Sequence, residues 1–70
     1  MYRNLRAEQA RNGHTNEFVA EFLGMSRANY ENKLKNGRFR IAEAKKLCGL
    51  YECVFEYLFA EDEPTYQKSA

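Results

Sequence analysis

The segment SRANYENKLKN, residues 26–36, holds the side chains of this 70-residue chain whose types and spacing best suit specific hydrogen bonding. Tyr30 and Leu34 stand one helical turn apart and predict a buried face, which leaves Arg27 and Asn29 on the other face. An Arg guanidinium can donate two parallel hydrogen bonds to guanine, and an Asn side-chain amide can pair in the same way with adenine. The segment therefore favours recognition of nucleic-acid bases.

The sequence offers no convincing set of catalytic or metal-binding residues. No Ser-His-Asp, Cys-His or paired-carboxylate arrangement stands out, so we expect no enzyme. Cys48 and Cys53 are too close together and too apolar in context for a disulfide framework, and only one histidine, His14, is present to complete a metal site. We interpret the two thiols as small, reduced, buried residues and assign His14 a structural role. We expect no metal, cofactor or small-molecule substrate.

Charge is divided unevenly along the chain, although the formal net charge is only +1. Residues 1–48 carry ten Lys or Arg and five acidic residues, whereas residues 49–70 carry one Lys and five acidic residues. A basic body with an acidic end suggests a polyanionic partner for the body. Four basic residues follow the polar segment: Arg38, Arg40, Lys45 and Lys46. They suit phosphate contact, with an ordinary solvated face as the alternative.

The apolar spacing predicts an all-α fold, a compact bundle of about five short helices. Helices are expected at residues 2–11, 16–23, 26–36, 41–48 and 53–59. No alternating segment indicates a sheet. Residues 1–60 form one predicted domain, and the acidic and then polar segment 61–70 is expected to be disordered. Seven aromatic residues are assigned to the core, or to the core plus one dimer contact: Phe18, Phe22, Tyr30, Phe39, Phe55, Tyr57 and Phe59.

Gly24 interrupts an apolar pattern that would otherwise continue as a helix. A glycine after a periodic run can adopt the left-handed conformation of a helix C-cap, and Ser26 can cap a new helix two residues later. Ala20 is expected where the two helices cross most closely. The angle between the helices is expected to be filled by Val19, Leu23, Met25 and Tyr30. A helix, a tight turn and a polar helix are typical of a helix-turn-helix, whose second helix enters the DNA major groove.

The stretches NLRAEQARNGHTNEFVAEFLGMSRANY and KLKNGRFRIAEAKKL resemble the Xre/Cro/CI-like repressors, the phage lambda repressor-like DNA-binding domains, over about residues 4–59. The resemblance implies a sequence-specific transcriptional regulator, of phage or mobile-element origin, that occupies double-stranded operator DNA. It implies base contacts from Arg27, Ala28, Asn29, Asn32 and Lys33. Together with the position of the basic cluster, it implies phosphate contacts from Thr15, Asn16, Ser26, Asn36, Arg38, Arg40, Lys45 and Lys46. The Thr15-Asn16 pair would also brace the recognition helix.

Three residues depart from the family pattern. His14 stands where an apolar residue, usually leucine, is common. Lys33 takes a position that the motif usually fills with an apolar residue, and Leu34 follows one position late. Arg40 replaces the Ser or Thr that often caps the fourth helix, which should cost roughly 1 kcal/mol of local stability.

The size and the ends of the chain suggest its partners and location. A domain this small reads few base pairs, so we expect a homodimer on a palindromic operator. The expected dimer surface is residues 51–59, with Tyr51, Phe55 and Tyr57 outside the core. A competing interpretation is a protein-interaction module of antitoxin or antirepressor type, in which the basic face is incidental. The polar start MYRNLRAEQ lacks a secretory signal and no apolar run is long enough to span a bilayer, so cytoplasmic residence is expected.

Overall fold

Five α-helices make up most of residues 2–61, the part of the chain that the computed structural model describes. They are α1 (Arg3–Arg11), α2 (Asn16–Leu23), α3 (Arg27–Asn36), α4 (Ile41–Tyr51) and α5 (Phe55–Leu58). No strand occurs within this part of the chain, and the predicted all-α bundle is confirmed. The predicted disorder of segment 61–70 falls, apart from Glu61, outside the described residues. None of the described helices is long and apolar enough to cross a membrane.

The ends of the first three helices lie within one residue of those predicted from the sequence. α4 continues past its predicted end at Cys48, because Gly49 stays helical and the chain leaves the helix only at Glu52, whose φ is 54°. This left-handed C-cap is uncommon for a residue other than glycine or asparagine. α5 is shorter than the predicted 53–59 helix, since residues 52–54 connect it to the extended α4.

The core draws on all five helices and on the residue before α1. Its apolar members are Tyr2, Leu5, Val19, Ala20, Leu23, Tyr30, Ala44, Leu47, Tyr51, Leu58 and Phe59. Tyr2, Phe39 and Phe59 form an aromatic cluster with ring centroids 5.3, 5.4 and 5.8 Å apart. This cluster packs Tyr2, the residue before α1, and the end of α5 against the segment between α3 and α4.

Three aromatic positions differ from the sequence-based prediction. Phe18 and Phe22, expected in the core, are 44% and 40% exposed. Each precedes a residue that takes the buried face of α2. Tyr51, expected outside, is buried because the extension of α4 puts it one turn after Leu47 on the inner face. The other two residues expected outside are exposed as predicted: Phe55 and Tyr57.

The two cysteines are free and only half-buried, so the prediction that both are buried is wrong. Cys48 lies at the edge of the inner face of α4, where it packs against the core without entering it. The Cys53 thiol donates to the carbonyl oxygen of Tyr51 (3.2 Å). Desolvation is the main cause that raises the pKa of both thiols, which keeps them protonated and weakly nucleophilic at neutral pH.

Candidate nucleic-acid interface

α2 and α3 are joined by a three-residue turn whose geometry is set by a cap at each end. Gly24 has a φ of 77° and ends α2, which confirms the predicted left-handed C-cap. The N–H of Met25 donates to the carbonyl oxygen of Ala20 (2.9 Å) and closes the last turn of α2. Ser26 begins α3, because its Oγ accepts a hydrogen bond from the backbone N–H of Asn29 (3.1 Å).

The turn brings α2 and α3 into the most extensive interhelical contact of the described chain. Ala20, the small residue expected at the helix crossing, is buried. The residues expected to fill the angle belong to the same core cluster or pack against it: Val19, Leu23, Met25 and Tyr30. Tyr30 is the one buried residue of α3, so most of the surface of this helix remains open to a partner.

A chain of side-chain hydrogen bonds ties α3 to α1 and to the start of α2. The Tyr30 hydroxyl donates to Oε1 of Gln9 (2.7 Å), and the Gln9 amide donates to Oδ1 of Asn16 (2.7 Å). The Asn16 amide in turn donates to Oε2 of Glu31 on α3 (3.1 Å). Asn16 therefore makes a bracing contact with α3, while Thr15 caps α2 through its hydroxyl oxygen.

The polar face of α3 and the segment before α4 share a concavity of about 260 Å³. Its lining residues are Asn29, Asn32, Lys33, Asn36 and Arg38. Three of them carry a predicted base contact, and the other two carry a predicted phosphate contact. The structure brings both groups onto one surface, with amide donors and acceptors along the helix and a guanidinium after its end.

Lys33 is the least exposed of these side chains. Its side chain is 22% exposed, its ammonium lies 3.3 Å from a carboxylate oxygen of Glu43, and it donates to the carbonyl oxygen of Arg38 (3.2 Å). The stem of a lysine can cover apolar surface while its charged end is paired, and here Glu43 neutralises the charge of Lys33. These contacts leave Lys33 less suited to base contact than the neighbouring asparagines.

Glu43 also replaces the cap that α4 lacks. The side chain of Arg40 has no acceptor atom, so the predicted absence of an ordinary side-chain cap at Arg40 is confirmed. A carboxylate oxygen of Glu43 instead accepts a hydrogen bond from the backbone N–H of Arg40 (2.9 Å). This is the acidic half of a capping box, and its negative charge also suits the N-terminus of a helix.

Two exposed cations flank the amides on α3. Arg27 pairs with Glu31 over 3.6 Å, so its guanidinium is held by its own helix. An exposed ion pair of this kind contributes only about 0 to 1 kcal/mol, so Arg27 can exchange partners at little cost. Lys35 carries no predicted role, yet it follows Ala28 by two helical turns and lies on the same exposed face. The spacing of two helical turns from Ala28 is the sequence signal that could have assigned Lys35 to this face.

The four basic residues expected to contact phosphate are exposed but do not line one concavity. Arg38 lines the concavity of α3. Lys45 instead lines an apolar groove between α4 and α5. Arg40 and Lys46 are exposed at the start and on the outer side of α4. The structure thus joins Arg38 to the predicted base-contacting residues and places Lys45 elsewhere.

His14 takes part in packing between α2 and α4. Its ring lies over Phe18 with centroids 4.3 Å apart, and its Nδ1 is 3.0 Å from the hydroxyl oxygen of Tyr51. Desolvation, with a smaller effect of the Glu8 carboxylate, raises the pKa of Tyr51 to about 12. These contacts agree with the structural role predicted for His14.

The exposed face of α3 can donate and accept hydrogen bonds along its length. Each asparagine amide presents both donor and acceptor atoms, and the small side chain of Ala28 leaves room for close approach. Arg27 and Lys35 add positive charge on this helix. Such a face suits a polar and anionic surface. No family model, no curated protein and no solved structure matches the chain.

Proposed function

We propose that the chain is a sequence-specific DNA-binding regulator of the Xre/Cro/CI-like type, in which α2 and α3 form a helix-turn-helix and α3 enters the major groove. The observation that carries the proposal is the concavity in which three asparagines meet Arg38. An α-helix fits the major groove of double-stranded DNA. Side-chain amides and guanidinium groups are the partners that base edges and phosphates accept.

Asn29 and Asn32 are the residues proposed to read base edges. Both are exposed on α3, and an amide that donates and accepts at once discriminates adenine from the other bases. Ala28 permits close approach and can contact a thymine methyl group. Asn36 and Arg38 lie at the end of the helix, where contacts to phosphate would set its register on the duplex.

Arg27 is proposed to exchange Glu31 for a guanine on binding. The exchange has a low cost, because the ion pair is exposed and its 3.6 Å separation is long for a charge-assisted hydrogen bond. Glu31 would keep its hydrogen bond from Asn16 (3.1 Å) after Arg27 leaves. Lys35 would supply a further cation for the phosphate backbone.

Regulation by such a protein requires no catalysed chemical reaction. A protein that occupies an operator in the cytoplasm excludes RNA polymerase or a competing repressor from the same DNA. The affinity of the protein for its site, relative to its affinity for other DNA, then decides the regulatory outcome.

A second candidate function, a protein-interaction module, is favoured by the surface of α2. Phe18 and Phe22 are exposed one helical turn apart, and the exposed acids Glu17 and Glu21 precede them in sequence. Adjacent exposed aromatic rings are typical of protein contacts. Under this alternative, of the antitoxin or antirepressor type, the polar face of α3 would be incidental.

Selection of bound duplexes from a pool of random DNA, followed by gel shifts at low and high salt, distinguishes the two candidates. The proposal expects a shared sequence motif and an affinity that falls as salt rises, since phosphate contacts release counterions. Asn32→Ala should lose the preference for the motif, whereas Phe22→Ala should retain it. Absence of duplex binding at low salt would reject the DNA-binding proposal and favour the interaction module.

A further inference from the structure

A polar cavity of about 470 Å³ lies between α1 and α3 and shares no lining residue with the concavity of α3. Its volume is in the range of small-molecule sites. Each helix supplies residues that stand about one turn apart and therefore lie on one face. These residues are Arg6, Gln9 and Ala10 on α1 and Glu31, Leu34 and Lys35 on α3. His14 and Asn16 close the cavity on the side of α2.

Part of the cavity lining is the hydrogen-bond chain that ties α3 to α1. The Gln9 amide accepts from the Tyr30 hydroxyl and donates to Asn16, and the Asn16 amide donates to Glu31. A side-chain amide carries two N–H donors. The contacts among the described residues use one N–H of Gln9 and one of Asn16. Both amides are therefore held in a fixed orientation and can still donate to a ligand.

Two cations of the cavity lining, Arg6 and Lys35, form no ion pair with any other residue in the part of the chain that the structure describes. Desolvation raises the pKa of Tyr30, and the charge of Arg6 has a smaller opposing effect, so Arg6 lies near the hydroxyl that begins the hydrogen-bond chain. Glu31 supplies a carboxylate, but it already pairs with Arg27 over 3.6 Å. The groups available to a ligand are donors and positive charges, which favour an anion.

We propose that this cavity binds a small phosphate monoester. Such a group carries close to two negative charges at neutral pH and three strong acceptor oxygens. It therefore matches the two cations and the two amide donors together, whereas a monocarboxylate has one charge and two oxygens and would use only part of the set. Ala10 and Leu34 add apolar surface for the organic part of the ester. The volume leaves room for that part beside the phosphate.

The ester would compete with DNA for the same protein surface. Lys35 is a cation available to the phosphate backbone of a duplex, and it cannot serve both ligands at once. A bound ester also places negative charge beside α3, where it repels the duplex. The binding of the ester is independent of the proposed function, and only this regulatory use rests on it. A small phosphorylated molecule would then release the protein from its DNA site.

Titration of the isotope-labelled full chain with adenosine monophosphate, followed by NMR without DNA, tests the site. Adenosine and inorganic phosphate are the matched probes, and sodium chloride keeps the ionic strength constant. The amide signals of Gln9, Asn16 and Lys35 should shift with a dissociation constant on the order of 1 mM or lower. Adenosine should bind at least about tenfold more weakly, because it lacks the charged group. Inorganic phosphate should also bind more weakly, because it lacks the organic part.

Arg6→Gln and Lys35→Gln should each raise the dissociation constant of the ester about fivefold or more. Both side chains are exposed, so the melting temperatures of these variants should not fall. Lys45→Gln is the matched control, because it removes the same charge from the apolar groove between α4 and α5 and should leave the constant unchanged. Equal affinities for the ester and adenosine, or equal effects of Lys35→Gln and Lys45→Gln, would overturn the site. Inorganic phosphate bound as tightly as the ester would overturn the role of the organic part.

A second measurement tests the competition. The ester, but not adenosine, should weaken binding of the chain to a selected duplex, and Arg6→Gln should reduce this effect. An ester that binds the chain and leaves the duplex bound would overturn the competition. A chain that binds no duplex would reject the proposed function and the competition with it, while the titration without DNA would still decide the phosphate site.

Discussion

The hydroxyl of Tyr30 donates a 2.7 Å hydrogen bond to Oε1 of Gln9, and this contact joins the buried residue of α3 to α1. Desolvation is the main cause that raises the pKa of Tyr30 far above the ordinary value of a tyrosine. The hydroxyl therefore stays neutral and remains a donor at physiological pH. This polar contact joins α3 to α1 in addition to the apolar packing of the Tyr30 ring.

Tyr30→Phe keeps the ring and removes the donor. We expect the free energy of unfolding to fall by about 1 kcal/mol, because the amide oxygen of Gln9 loses a partner in a partly buried site. Urea denaturation monitored by circular dichroism measures the change. A double-mutant cycle with Gln9→Leu should show non-additive losses. Strictly additive losses would mean that the hydrogen bond contributes nothing to stability.

Gly24 and Gly49 allow one substitution to be compared in two backbone conformations. A Cβ atom at either position would meet no atom within 4 Å, so packing does not distinguish them. Gly24→Ala should lower the free energy of unfolding by about 1 kcal/mol, because Gly24 has a φ of 77°. Gly49→Ala should raise it by roughly 0.5 to 1 kcal/mol, because Gly49 lies inside α4. A melting temperature that does not fall for Gly24→Ala would contradict the role given to the turn, and one that falls for Gly49→Ala would contradict the prediction for α4.

Helix ends were predictable where a local chemical signal marks them. Thr15 and Ser26 cap the helices that follow them, and Gly24 ends α2 in the left-handed conformation that suits glycine. The end of α4 has no such signal. Glu52 adopts a φ of 54° without being Gly or Asn, while Gly49, which resembles a stop, continues the helix. Tertiary contacts decide such an end, and they are not written in the local sequence.

The candidate site was predictable in its residues more than in its contacts. The helical period places Asn29 and Asn32 on the open face of α3 once Tyr30 is assigned to the core. The hydrogen bond of Gln9 to Asn16 and the ion pair of Lys33 with Glu43 join different helices. Such contacts require the packing of helices to be known first. The same reason applies to Ile41. Its apolar side chain is at helical spacing from the buried residues Ala44 and Leu47, and the sequence alone does not show that it is exposed.

Alkaline pH should destabilise the fold in a window set partly by Tyr51. Desolvation, with the charge of Glu8, raises its pKa to about 12 in the folded chain, against about 10 for an unfolded tyrosine. The folded state then binds more protons than the unfolded state between these values, so stability is complete below about pH 10 and declines as pH rises toward 12. Tyr51→Phe should make this decline shallower in urea titrations. If stability falls as steeply with pH in Tyr51→Phe as in the unchanged chain, the loss of stability is not due to Tyr51.

Asn32→Ala should weaken binding to the selected DNA site and leave binding to random DNA intact. Asn32 is exposed on α3 and lines the concavity, so its amide is proposed to contact a base edge. We expect affinity for the selected site to fall by about 1 to 3 kcal/mol, with little change on random DNA. Fluorescence anisotropy with both duplexes measures the two affinities. Equal losses on the two duplexes would remove Asn32 from the base-contacting residues.

Arg38→Ala should weaken binding to selected and random duplexes alike, because a phosphate contact carries no sequence information. Loss of one phosphate contact should also make the slope of log affinity against log salt shallower by about 0.9. Lys45→Ala removes the same charge from the α4–α5 groove instead of the α3 concavity. On a duplex too short for two copies, it should leave the salt slope unchanged. If the salt slope becomes shallower for Lys45→Ala, or stays unchanged for Arg38→Ala, the result would place the proposed DNA-binding surface on α4 and not on α3.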